Sequence, residues 1–209
     1  MTEVAGLVAP RRIPKQKRSR ERYERVLATA RALIAERGND AVSMREIAEA
    51  AEVPISSVYQ YLPDKNALLW ALFEAFMADF EAEWSRRIAA AEDVAALEAA
   101  PDLAFEHLVA RCAEDPSLTR LWMAVQANAV LAELDRASNR RLARAYASRM
   151  RELDDACDEA AVYTRTLLQC TLASAALELA FGGDADAERV LEAFRDLLRT
   201  PGGSASARR

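Results

Sequence analysis

The most pointed chemistry in this 209-residue chain sits in the stretch ISSVYQYL, where Ser56, Ser57, Tyr59, Gln60 and Tyr61 crowd hydroxyls and an amide together. Hydroxyls near a helix N-terminus suit phosphate oxygens, and a Gln amide suits the edge of a base. Val58 and Leu62, four residues apart, form an apolar stripe that turns the polar groups outward. The same stretch also reads as a short surface helix rich in Ser and Tyr. A second feature lies upstream. Eight basic residues stand between Arg11 and Arg25, opposed only by Glu21 and Glu24, for a local charge of +6. Such a run is either a solubilising tail or an arm that follows phosphates.

The elements that must position these groups follow from spacing. Tyr23, Val26, Leu27, Ala30, Leu33 and Ile34 recur at steps of three and four, which predicts a helix from about Arg20 to Arg37, stopped at Gly38. Ser43 followed by Glu46 is a capping box, and it opens a second helix, SMREIAEAA. Pro54 then suits the first turn of a third helix that ends before Pro63. Two helices of about two turns joined by a short turn have the dimensions of a helix-turn-helix. Asp64 can cap a long helix from Lys65 to about Ala91, with Pro101 and Pro116 as punctuation after it. Further helices are expected at about 102–113, 117–134, 136–157, 160–182 and 185–199. The tail PGGSASARR reads as disordered.

Composition narrows the classes. Hydrophobic residues make up 52% of the chain and Gly and Pro are few, which favours an all-α fold with a packed core. Cys112, Cys157 and Cys170 are widely spaced and form no CxxC pair, so no disulfide framework or zinc site is expected. No phosphate loop, HExxH or GxSxG occurs, and His107 is the one histidine, so an enzyme is not expected, nor a cofactor. No secretory signal or membrane-length apolar run is read, and a cytoplasmic protein is expected. The net charge of −5 argues on its face against a nucleic-acid partner. It is unevenly placed, however: residues 1–65 carry +3 and residues 66–209 carry −8.

The run SMREIAEAAEVPISSVYQYLPDKNALLWALFEAF resembles the DNA-binding signature of the TetR family of bacterial transcriptional regulators. Ser43, Ile47, Ala48, Ala51, Val53, Tyr59, Tyr61, Lys65, Leu68 and Leu69 match the family pattern. Glu52 departs from it by standing where Gly is usual, at a turn that often needs positive φ. Leu62 replaces the usual Phe, and Ser56 stands where Gly is common.

The resemblance implies an N-terminal three-helix DNA-binding domain over 20–65, preceded by a basic, flexible arm over 1–19. A long helix then joins it to a helical ligand-binding and dimerisation domain over 66–200, with 201–209 as tail. Ser57, Tyr59, Tyr61 and Lys65 correspond to phosphate contacts, and Ile55, Ser56 and Gln60 to groups reaching into the major groove. Ser43 and Arg45, at the head of the second helix, are likewise implied to contact DNA, with Arg45 corresponding to a base or phosphate contact. Arg18 and Arg20 belong to the arm. The last two helices are implied to pair with those of a second copy. A ligand cavity is also implied, with Phe73, Met77, Phe80, Phe105, Trp122 and Met123 as candidates for its lining. Gln126, Tyr146, Met150, Tyr163 and Leu167 complete that set, and Thr166, Gln169 and His107 are among the polar groups able to orient a ligand. The expected function is a homodimeric repressor that binds a pseudo-palindromic operator in double-stranded DNA and is released by a small hydrophobic or amphipathic effector. The alternative is a DNA-binding or assembly protein of the same fold without a small-molecule inducer.

Overall fold

The computed structural model describes residues 16–183 and 186–199. Among these residues the structure is helical and contains no strand. The helices are α1 (Lys17–Arg37), α2 (Met44–Ala50), α3 (Ile55–Tyr61), α4 (Lys65–Ala90), α5 (Val94–Glu114), α6 (Pro116–Gln126), α7 (Ala129–Leu153), α8 (Glu159–Phe181) and α9 (Ala187–Arg199). The chain divides into two compact units. The first holds residues up to Ala78 together with Glu114–Asp135; the second holds Asp79–Ala113 together with Arg136 onward.

In the first unit α1 turns Val26, Ala30 and Ile34 inward. Ile47 of α2 and Val58 of α3 are buried, as is Leu62 just beyond α3. Burying each of these Val, Ile and Leu side chains contributes roughly 1.5–3 kcal/mol. Phe73 and Phe76 of α4 pack edge-on against Trp122 of α6, at 5.6 and 5.8 Å between ring centres. Arg31 ion-pairs with Asp115 and donates from Nε to Ser117 Oγ at 3.1 Å, while Arg120 donates to the carbonyl of Ala35. Helix α6 is thus fastened along α1. Helix α1 is thus held, within the same compact unit, by a segment some 85 residues further along the chain.

In the second unit Trp84, Ile88, Leu97, Leu142, Tyr146 and Met150 form a buried cluster. Trp84 donates its indole N–H to the carbonyl of Leu142 at 3.3 Å. Burial pushes the Tyr146 phenol up to about 12, so it stays protonated throughout the neutral range. Helices α8 and α9 pack against each other.

Several element ends differ from the spacing-based expectation. Helix α1 starts at Lys17, with Ser19 and Arg20 donating to the carbonyl of Gln16 at 3.1 and 2.9 Å, so Arg18 and Arg20 are helical rather than part of a flexible arm. The arm up to residue 15 and the tail 201–209 lie outside the described residues. Pro101 does not start a helix but lies inside α5, which begins at Val94 behind an Asp93 cap (Ala96 N–H to Oδ1, 2.8 Å). The region 117–134 is two helices, because Asn128 Oδ1 caps α7 by accepting from Val130 and Leu131 N–H at 3.1 and 3.2 Å.

The α2–α3 turn is strained. Glu52 has φ 54°, the left-handed region that disfavours residues with a Cβ. The turn closes as a Schellman motif: Val53 N–H donates to Ala48 O at 3.0 Å and Glu52 N–H to Glu49 O at 3.1 Å. Glu52→Gly should therefore stabilise the protein by about 1 kcal/mol, a rise of about 2–4 °C in Tm. Glu52→Ala, which keeps the Cβ, should give no such gain. Equal Tm for the two variants in a thermal melt would contradict a strained turn.

Candidate nucleic-acid interface

Helix α3 is seated by Val58 and by Leu62 behind it, both almost fully buried. That places Ile55, Ser56, Tyr59 and Gln60 on its exposed side. Tyr59 is 44% exposed and has a free run to solvent. Ser57 and Tyr61 are half-buried. The Tyr61 ring meets Tyr23 of α1 edge-on at 6.1 Å, which fixes its direction. Burial raises the Tyr23 phenol above the usual tyrosine range, with Glu74 adding to the effect.

Helix α2 is held by its predicted cap. Ser43 Oγ accepts from Glu46 N–H at 3.2 Å, and Glu46 Oε2 accepts from Ser43 N–H at 2.8 Å. The Ser43 backbone and hydroxyl together hold the Glu46 carboxyl below the usual range, with Arg37 contributing less. Ser43 is thereby engaged in starting the helix. Arg45, in the first turn, is strongly exposed, and its Nε donates to Glu49 at 2.9 Å. That hydrogen bond raises the already high guanidinium value and leaves the terminal Nη groups for other acceptors. Arg18 and Arg20 stand exposed on the opening turn of α1.

Lys65 is placed differently from a group free to meet phosphate. Its ammonium donates to the carbonyl of Asn39 and to that of Val42 at 2.5 Å, both in the loop between α1 and α2. Burial lowers its pKa from the usual lysine value, against the opposing pull of Asp40 and Glu46. Two of its three N–H donors thus fasten the start of α4 to the loop from which α2 springs.

The residues expected to line one cavity are divided between the units. Phe73, Met77 and Trp122 are buried in the first. Met123 is 42% exposed, and Gln126 donates to Asp135 Oδ2 at 2.8 Å. Tyr146 and Met150 belong to the core of the second unit. Tyr163 lies half-buried with the Arg144 guanidinium 5.9 Å from its ring centre, and Leu167 is half-buried. Only Phe80 and Phe105 of that set line the cavity of about 40 Å³ found in the second unit. Its other walls include Trp84, Leu108, Thr166, Gln169, Phe194 and Leu198. The signal was present in spacing: Pro101, Ala104, Phe105 and Leu108 repeat the pattern of Thr166, Gln169, Cys170 and Ala173, one face on each of two helices. Among the described residues no cluster of His, Cys, Asp and Glu gathers to hold a metal, and no helix is long and apolar enough to cross a membrane.

A capped second helix, a Schellman turn and a third helix with its polar side exposed define a helix-turn-helix DNA-binding protein. Two family profiles match the chain: "Bacterial regulatory proteins, tetR family" over residues 26–72, and "Tetracyclin repressor-like, C-terminal domain" over residues 95–201, the latter half of the chain. The chain belongs to the TetR family of bacterial transcriptional regulators. It is 40% identical over 78 residues to the HTH-type transcriptional repressor KstR of Mycolicibacterium smegmatis, a match covering 37% of this chain and 34% of that protein. The chain thus matches about a third of the length of that curated relative. Its fold is similar to that of a putative TetR-family regulator from Syntrophomonas wolfei, with TM-score 0.67 at 19% identity over 86% of this chain and 94% of the other. A TetR-family regulator from Pectobacterium atrosepticum gives TM-score 0.66 at 21% identity, over 88% and 94%.

Proposed function

We propose that this regulator acts as a homodimeric repressor of a pseudo-palindromic operator and is released by a small hydrophobic or amphipathic effector. The observation that carries the DNA-reading part is the exposed row Ile55, Ser56, Tyr59 and Gln60 over buried Val58. Two such rows in a symmetric dimer would enter successive major grooves about 34–36 Å apart. Gln60 offers both a donor and an acceptor to an adenine edge, and Ile55 can touch a thymine methyl. Tyr59, Ser57 and the exposed Arg18 and Arg20 supply phosphate contacts, which make affinity fall steeply with salt. The repressor sign is favoured by the partial match to KstR.

Tyr59→Ala combined with Gln60→Ala should leave Tm and oligomeric state unchanged and weaken operator binding by about 10²-fold or more. Operator affinity within threefold of wild type, in a gel shift at moderate salt, would exclude α3 as the reading element.

One observation favours the reading without an inducer: the cavity of about 40 Å³ is small against the 150 Å³ or so that accepts a benzene ring. An effector therefore has to open the second unit to enter it. Saturable thermal stabilisation by a metabolite that also weakens operator binding would decide for the effector.

A further inference from the structure

We infer that the effector is a neutral, mainly apolar molecule, seated between α5, α8 and α9 with the Gln169 amide as its one directional contact; this deepens the effector reading above and rests on it. Among the described residues the cavity wall contains no Asp, Glu, Lys, Arg or His. An ionised guest would lose its hydration without gaining a charge partner, a balance that strongly disfavours entry. One pair of opposite charges brackets the wall. Asp102 follows Pro101 of the wall, Arg199 follows Leu198, and the two pair with each other at 2.7 Å.

The cavity's surface is apolar throughout, although two of its wall residues, Thr166 and Gln169, carry polar groups that face away from it. Thr166 is committed, because its hydroxyl donates to Val162 O at 2.9 Å within α8. Gln169 is not well committed: Nε2 reaches the carbonyl of Leu198 only at 3.4 Å, near the limit of a hydrogen bond. Its amide can turn to a hydroxyl or carbonyl of a guest at little loss.

The small volume is met by moving α9. That helix is held over the cavity by Phe194 against Phe105, with ring centres at 4.6 Å, by the long Gln169 contact, and by an exposed ion pair of the kind that holds weakly. A ring-sized guest would take the space of Phe194 and displace α9 while leaving the Trp84–Tyr146 core intact.

The test uses the full-length protein and three probes of one size and different charge: benzyl alcohol, benzoate and benzylamine. Benzyl alcohol should raise Tm saturably, by about 3 °C at ten times its Kd, and weaken operator binding. Benzoate and benzylamine should do neither. Ala173→Leu, or Ala104→Leu from the opposite wall, fills the cavity and should abolish the shift. Gln169→Leu should remove the advantage of benzyl alcohol over toluene. Stabilisation by a charged probe equal to that by the alcohol overturns the neutral class while leaving an effector in place. Stabilisation that survives both filling variants overturns the site, and so does the absence of any shift with the alcohol. Stabilisation through the cavity without change in operator affinity supports the neutral site and overturns the effector reading instead.

Discussion

Leu168→Asp combined with Leu179→Asp should yield a monomer that keeps its helical content and has lost operator binding by 10³-fold or more. Helix α8 turns Leu168, Leu172, Ala175 and Leu179 to the outside, at steps of four, three and four. Leu168 is 57% exposed and Leu179 49%, whereas Ala176, Leu177 and Ala180 on the opposite side are buried against their own unit. Leu197 of α9 is exposed as well, at 58%. A row of this kind is what a self-complementary two-fold interface presents. Each leucine covered by a second copy contributes roughly 2 kcal/mol, and each aspartate there would be a desolvated charge facing its own symmetry mate. On the proposed homodimeric reading, losing the second copy would halve the phosphate contacts and remove the linkage between half-sites, hence the size of the expected fall in DNA affinity. Light scattering gives the mass and a gel shift the affinity. A double variant that remains dimeric would show that α8 does not carry the interface.

Lys65→Met should lower stability by about 1–3 kcal/mol, in the range of hydrogen bonds made by a charged donor. It should also weaken operator binding without changing the salt slope. The resemblance makes Lys65 a phosphate contact, and a contact of that kind, once lost, reduces the slope of log K against log salt by about one. The geometry instead gives its ammonium to the carbonyls of Asn39 and Val42. Removing it frees the loop that leads into the Ser43 cap and so lets α2 and Arg45 drift. Lys65→Arg should recover part of the stability, since a guanidinium still reaches carbonyls. A variant with unchanged Tm and a shallower salt slope would restore the phosphate role.

Local rules read most of the reading head directly from the sequence. The Ser43–Glu46 box, the Asp64 cap on Ala67 N–H at 2.8 Å and the strained position of Glu52 are set by neighbouring residues, and each is found as expected. The misreadings fall where distant parts of the chain decide. Pro101 forgoes one hydrogen bond to the preceding turn, yet α5 continues through it, because Leu97, Ala100, Ala104 and Phe105 around it are all buried. Lys65 has its phosphate role from the resemblance alone, and the two carbonyls its ammonium meets lie more than twenty residues back, out of reach of local rules. Large and soft side chains mark both packed interior and cavity wall, so Phe73, Tyr146 and Met150 could not be told from Phe80 and Phe105 by residue type.

The fastening of α6 along α1 has a consequence for how this protein can be cut and recombined. A fragment ending after residue 65 would strip the Asp115 and Ser117 partners from Arg31 and the Arg120 donor from the carbonyl of Ala35. A fragment that ran on to Ala78 would still leave Phe73 and Phe76 without Trp122. The compact unit that carries the helix-turn-helix is therefore discontinuous in sequence, with its second piece at Glu114–Asp135. A chimera that exchanges heads between regulators should carry both pieces from one parent, or the graft inherits a mismatched seam beneath its recognition helix.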